Sequence, residues 1–413
     1  MHAKAGMLLL LIALLSPLLP GCSNPSLIVS SFLTSPPDTS PVSDRYFGMH
    51  VGFVDPGTPW PSVPFGTWRL WDANVTWKDL EPSKGVWDFS RLDALIALAQ
   101  KHNVDVILPL ALTPQWASQR PNEHSAYTPG AAAPPTDIND WIDYVRAVTA
   151  RYKGRVAYYE MGNEMNCPAM WTGTAAEIVS LQQAAYTTIK TIDPDAKLIS
   201  ANLTTSNGLP LLRRLLDLDY ANSADIVGYH FYVTPSQPEA IATLYSQISS
   251  LLNTYGVNKP IWNTETGWML PTRFANEDDA AGVAVRALLV GRSSGIERFL
   301  WYEWDNHCCV SLFMTETDNA TPTRAAIAYA NVQKWLVGNV FGPCTAGSNG
   351  TWSCNLQFSD GRHGLILWNP KGSATANLKL SWTPTSAVDM YGNDAPAPGR
   401  QAHVTQQPVL LHD

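Results

Sequence analysis

Two glutamates stand out by type and position: Glu164 in VAYYEMGNE and Glu265 in KPIWNTETGW each follow a strand-like apolar run and have aromatic neighbours. A carboxylic acid can protonate a leaving oxygen while a second carboxylate attacks carbon or activates water. The pair could therefore break an acetal such as a glycosidic bond. Two other carboxyls compete for the role. Glu160 lies four residues before Glu164, inside the strand, where it should pair with a barrel cation such as Arg69. Glu303 lies two residues past Trp301 and could bind substrate. The chain contains no HExxH zinc helix, no GxxxxGK[ST] phosphate loop and no GxSxG nucleophile turn, and no cofactor is expected.

The elements that must position these groups follow from apolar periodicity. Strand candidates are Tyr46–His50, Thr67–Leu70, Val104–Leu110, Val156–Met161, Lys197–Ala201, Asp225–His230, Pro260–Asn263 and Arg298–Trp301. Between and after them fall helical patterns at Phe89–His102, Ile138–Tyr152, Thr174–Ile192, Leu209–Leu216, Glu239–Tyr255, Asp278–Arg292 and Thr323–Val337. Apolar strands alternating with helices imply a parallel sheet covered by helices, and eight such units imply an α/β fold of the closed (β/α)8 TIM-barrel type. Reacting groups would then come from the C-terminal ends of different strands, where Glu164 and Glu265 both fall. Beyond residue 340 the helical periodicity disappears. Stretches such as Leu356–Phe358, His363–Trp368 and Ala376–Trp382 predict a small antiparallel β-sandwich, expected to brace the barrel. The expected division is 1–22 leader, 23–41 Ser/Pro-rich linker, 42–338 barrel and 339–413 β-sandwich.

The net charge of −8, with no Lys/Arg-rich run past residue 10, argues against nucleic acid or anionic lipid as a partner. Sixteen tryptophans offer flat apolar faces on which sugar rings stack. Residues 1–22 read as an export signal: Lys4, an apolar stretch from Met7 to Leu15, then Leu19-Pro20-Gly21-Cys22, which looks like a lipobox with Cys22 as the lipidated residue. The expected destination is the periplasm or outer membrane as a lipoprotein, or secretion, with membrane contact only through that anchor and a monomeric state. Cys344 and Cys354 flank a Gly/Asn/Ser-rich turn and should form a disulfide, whereas the pairing of Cys167, Cys308 and Cys309 is open. No histidine or carboxylate stands at ligand spacing around those three, so no metal site is expected.

The Asn163-Glu164 dipeptide on the fourth strand and Glu265 on the seventh resemble the clan A retaining glycoside hydrolases. The stretch WRLWDANVTWKDLEPSKGVWDFSRLD, Trp68 to Asp93, is similar to the region after the second strand in that clan. Through YYEMGNEMN, YHFY and the trailing β domain, residues 44–413 look most like family 39, the β-xylosidase and exopolysaccharide-hydrolase family. One departure is that Gly162 and Met165 flank the dipeptide where many members have Trp and Pro. The resemblance implies that Glu164 is acid/base and Glu265 nucleophile. It further implies that Arg69, by lowering the Glu265 pKa, and Tyr232 hold Glu265 ionised, that Asn163 binds the sugar 2-hydroxyl, and that His230 orients Glu164 or binds sugar. Trp301 would be the floor under the sugar, Trp116, Trp268 and Trp304 would be further stacking faces, and His50 would contact a hydroxyl. The implied activity is retaining hydrolysis of a β-linked polysaccharide or oligosaccharide by double displacement. A non-catalytic carbohydrate-binding lipoprotein or a transglycosidase on the same fold are the alternatives.

Overall fold

A computed structural model describes residues 40–52, 59–305 and 310–413. The expected leader with Cys22, most of the linker, and Cys308 and Cys309 lie outside the described residues. Eight parallel strands form one sheet: β1 (Phe47–His50), β2 (Thr67–Arg69), β3 (Asp105–Leu110), β4 (Tyr158–Met161), β5 (Lys197–Ile199), β6 (Val227–His230), β7 (Ile261–Thr266) and β8 (Phe299–Trp301). Their order is β5-β4-β3-β2-β1-β8-β7-β6, and a parallel bridge from Ile199 to Ile226 joins the two ends into a barrel. The helices are α1 (Trp77–Leu80), α2 (Ser90–Lys101), α3 (Ile138–Tyr152), α4 (Ala175–Ile192), α5 (Leu209–Asp217), α6 (Ala240–Thr254), α7 (Glu277–Ser294) and α8 (Arg324–Leu336).

The helices form where polar caps precede apolar periodicity. Thr174 and Glu177 make a reciprocal capping box at the start of α4, and Asn276 and Thr323 cap α7 and α8. In α6, Ile241, Leu244, Ile248 and Leu251 repeat at helical spacing and are buried against the barrel wall. No helix of the described residues is long and apolar enough to cross a membrane.

The barrel interior is layered. Near the N-terminal ends of the strands, Arg298 pairs with Asp105 at 2.7 Å and lies over the rings of Tyr158 and Trp262. Above it, Ile107, Ile199, Ile226, Trp262 and Leu300 form an apolar plug. Above the plug, Arg69 and Glu160 form a buried ion pair at 2.5 Å. The interior is therefore closed below, and only the upper end is chemically equipped.

The C-terminal domain has a six-stranded antiparallel sheet and a two-stranded one. The first comprises β9 (Val340–Ala346), β10 (Trp352–Gln357), β11 (His363–Trp368), β13 (Ser386–Asp389), β14 (Asp394–Pro396) and β16 (Val409–His412). The second pairs β12 (Ala374–Asn377) with β15 (Gln401–Val404), so the third predicted stretch ends at Asn377 rather than Trp382. Leu365, Leu367 and Leu411 pack against Ala376, Ala402 and Val404 between the sheets. Cys344 and Cys354 stand opposite each other on β9 and β10 and are joined by a disulfide. The domain is pinned to the barrel's helices: Trp368 Nε1 donates to Glu239 at 2.7 Å, and Asn331 Nδ2 donates to the Tyr391 carbonyl at 2.8 Å.

Candidate active site

Glu164 sits just past β4 in a tight turn that its neighbours force into shape. Gly162 and Glu164 both have positive φ, +67° and +44°, a conformation costly for a residue with a side chain. A Cβ on Gly162 would lie 2.3 Å from Met165 Sδ, so the unusual Gly162/Met165 flank is one packing unit in which the methionine fills the space over the glycine. Asn202, fully buried just past β5, holds this turn. Its Oδ1 accepts from the Glu164 N–H at 2.6 Å, its carbonyl accepts from the Met165 N–H at 3.0 Å, and its Nδ2 donates to the Gly162 carbonyl at 3.4 Å.

Glu265 reaches the mouth differently. The strand runs on to Thr266, so Glu265 lies inside β7 and not after it. On simple alternation from Trp262, an interior residue, Glu265 would face the helices. Register shifts in both neighbouring ladders, between Tyr229 and His230 and between Asn263 and Thr266, mark a bulge that turns it inward.

The two carboxyls then meet. Oxygens of Glu164 and Glu265 and a ring nitrogen of His230 all lie within 4.8 Å of one another. Arg69 is the hub beneath them: Nη1 donates to Glu265 Oε2 at 2.7 Å, Nη2 to Asn163 Oδ1 at 2.7 Å and Nε to Glu160 Oε2 at 2.5 Å. Glu160 is thus a structural partner of Arg69. The Tyr232 hydroxyl donates to Glu265 Oε1 at 2.8 Å. His230 Nδ1 lies 3.0 Å from Glu164 Oε1 and 3.7 Å from Glu265 Oε1, and the Cys167 thiol is 3.8 Å from Glu164 Oε2.

Burial raises both carboxyl pKa values. This corrects the expectation that Arg69 would set Glu265 low: desolvation outweighs the cation. The pair shares its protons, and the one group in contact with a fixed cation and a hydroxyl donor is Glu265, so the remaining proton belongs on Glu164. Burial lowers His230 to about 4, which makes it a neutral imidazole near neutral pH. Its Nε2 has no partner among the described residues, so Nδ1 can donate to an ionised Glu164 or accept from a protonated one. These ligand atoms converge closely enough for a cation, but Arg69 already neutralises Glu265, and no metal is assigned.

The cavity over the pair has a volume of about 470 Å³ and is lined by Trp71, Asp72, Tyr127, Asn163, Glu164, Met170, Thr205, Tyr232, Glu265, Met269 and Tyr302, among others. The expected stacking faces are not among them. Trp301 is fully buried and stacks on Trp268 at 6.4 Å, Trp304 is 1% exposed, and Trp116 is half-buried with Nε1 donating to the Glu81 carbonyl at 2.9 Å. The reason is alternation: Leu300 belongs to the interior plug, so Tyr302 shares its inward face and Trp301 points outward. Trp71, Tyr127 and Tyr302 provide the aromatic walls instead. His50 is also fully buried, with Nε2 3.0 Å from the Thr264 carbonyl and its ring edge-on to Tyr302 at 5.2 Å. Glu303 is buried with neither oxygen hydrogen-bonded among the described residues, and burial raises its pKa to about 9, with Asp72 and Asp305 adding to it. Sequence reasoning missed Asp72, Tyr127, Tyr302 and Asn202. The first could have been found from its place just past β2.

A parallel eight-stranded barrel with paired carboxyls, a buried arginine and aromatic walls at its C-terminal mouth defines a clan A glycoside hydrolase, with a trailing β domain that makes its architecture like that of family 39. The match to the family described as Cellulase (glycosyl hydrolase family 5), over residues 70–307, is of the same kind, and the chain belongs to that family. Among curated proteins no sequence match is found. Similar solved structures include a family 39 glycoside hydrolase from Bacteroides cellulosilyticus, with TM-score 0.72 and 17% identity over 90% of this chain and 82% of that one. Others are a family 39 β-xylosidase from Caulobacter crescentus (0.65, 13%, 91% and 97%) and a family 30 endoxylanase from Clostridium papyrosolvens (0.61, 14%, 91% and 97%). At these identities they show the shared fold. The protein is a glycosidase acting on carbohydrate.

Proposed function

We propose that the chain is a retaining β-glycosidase acting on polysaccharide or oligosaccharide, with Glu265 as nucleophile and Glu164 as acid/base. The observation that carries this reading is the approach of one oxygen of each carboxyl to within 4.8 Å of the other, in unequal surroundings. Retaining enzymes hold their carboxyl groups about 5–5.5 Å apart, and inverting ones about 6.5–9.5 Å apart to admit a water. In the first step Glu164 gives its proton to the glycosidic oxygen, the C1–O bond breaks, and a Glu265 oxygen bonds to C1. In the second step the ionised Glu164 takes a proton from water as the water oxygen attacks C1, and the ester bond to Glu265 breaks. Arg69 and Tyr232 favour the ionised Glu265 that begins and ends the cycle. Asn163, oriented by Arg69, is proposed to bind the sugar 2-hydroxyl.

The test is hydrolysis of an aryl β-glycoside and polysaccharide panel, with Glu164→Gln and Glu265→Gln as controls and the first-formed anomer read by proton NMR. Turnover with retention, lost in both variants, is expected. Inversion, or binding without turnover in the unmodified protein, overturns the reading. We further propose that the protein acts as an exported monomer anchored through Cys22. Fatty-acid labelling that survives Cys22→Ala would contradict that anchor.

A further inference from the structure

The barrel mouth is poor in positive charge. The loops that follow the eight strands, up to the next helix or strand in each case, contain two Lys or Arg side chains, Arg120 and Arg273. Arg120 is occupied on the rim, paired with Glu123 and donating to Thr172 Oγ1 at 2.7 Å. Arg273 lines a separate groove with Leu270, Phe274 and Glu277. Lys84, in the turn after α1, is tied to Asp140 at 2.6 Å. Inside the mouth, Arg69 is fully buried, and its three nitrogens are committed to Glu160, Glu265 and Asn163. The catalytic cavity itself is lined by Asp72, Glu164 and Glu265 and by no Lys, Arg or His among the described residues.

Asp72 is the carboxyl in that wall with no part in the proposed bond chemistry. It sits at φ +59°, a conformation Asp tolerates, and two cavity-wall tyrosines aim their hydroxyls at it: Tyr127 donates to Oδ1 at 2.6 Å and Tyr302 to Oδ2 at 2.8 Å. One donor on each oxygen fixes the carboxylate in the wall. A sugar bearing its own carboxylate would meet this charge and Glu265 with no Lys, Arg or His in the described cavity wall to pair with, and a desolvated, unpaired charge is strongly disfavoured.

We propose that the cleft selects glycans whose sugar beside Glu265 carries no acidic group, and that Asp72 is the specificity-determining residue. This rests on the glycosidase reading and adds the substrate's charge class to it. The acidic mouth and the chain's charge of −8 act in the same direction by slowing the approach of polyanions.

The experiment compares kcat/KM for 4-nitrophenyl β-glucoside against β-glucuronide and β-galactoside against β-galacturonide, in the full-length protein and in Asp72→Asn. The same neutral and uronic oligosaccharides are titrated calorimetrically into Glu164→Gln. The neutral member should be favoured on the order of a hundredfold, the factor one like charge at about 6 Å gives at an effective dielectric of about 20. Asp72→Asn, which removes that charge, should narrow the ratio by about the same hundredfold, mainly by improving the uronide, and in the unmodified protein added salt should narrow it too. Asn suits the same backbone conformation, and an unchanged melting temperature would show that the variant folds. A uronide turned over or bound as well as its neutral partner, or a ratio unmoved by Asp72→Asn, overturns the proposal. Neutral-selective binding with no turnover of any glycan would support the charge selection and overturn the catalytic reading alone.

Discussion

The end of β4 and the end of β7 each present a glutamate to the same cavity, and they do so by opposite means. Glu164 stands on a strained turn, clamped through its backbone by Asn202, with a neutral imidazole and a thiol near its carboxyl. Glu265 stands in a strand, re-aimed by a bulge, with its carboxyl clamped by Arg69 and Tyr232. One site fixes the backbone and leaves the carboxyl free to gain and lose a proton. The other fixes the charge. Such a division is what a proton carrier and a nucleophile require of one fold.

The largest effect expected from breaking this contrast is on the β7 side. Glu265→Gln should lower kcat by about 10⁴-fold or more on every substrate, because in the proposed double displacement Glu265 is the group that forms the covalent bond. Glu164→Gln should cost about 10²–10⁴-fold on glycosides with poor leaving groups but far less in bond cleavage of dinitrophenyl glycosides, which need no acid. Burst kinetics separate the two steps. A third change tests the backbone clamp. Asn202→Ala leaves the Glu164 N–H without its acceptor, at a cost of about 1–3 kcal/mol, and should lower kcat about tenfold on poor leaving groups with a fall in melting temperature.

Much of this was legible in the sequence, for a physical reason. All eight strands and seven long helices follow from apolar periodicity, since burial on a barrel wall leaves a regular pattern. Arg69, Asn163, Tyr232 and His230 are positioned by strand ends and motif. What was not legible is local. The bulge that turns Glu265 inward breaks the alternation on which strand reading rests, and the choice of Trp301 over Tyr302 misassigned one strand's faces. Asn202 acts from the loop after a neighbouring strand, so no spacing in the chain announces it. The aromatic walls come from Trp71 and Tyr127, on loops whose course periodicity does not describe.

Smaller changes sharpen the comparison. Tyr232→Phe removes a donor that favours ionised Glu265, so its pKa rises. The proposed mechanism needs that carboxylate, and it is lost as pH falls through this pKa. The acid limb of kcat/KM should therefore move to higher pH, with at most about a tenfold loss at the optimum. The basic limb, set by deprotonation of Glu164, should stay in place. Glu303 tests stability. Its folded pKa, about 9, lies above its unfolded value, so its contribution is fully present below the unfolded pKa and is lost as pH rises through about 9. Glu303→Gln should therefore raise the melting temperature by an amount that grows from about pH 5 to about pH 9, as calorimetry would show.

The most direct test of the division of roles is to trap the intermediate. A 2-deoxy-2-fluoro β-glycosyl fluoride matched to the preferred sugar, followed by digestion and peptide mass spectrometry, should label the peptide KPIWNTETGW at Glu265 and leave Glu164 unmodified. Label on Glu164, Glu160 or Glu303, or rapid turnover with inversion and no adduct, would contradict the account.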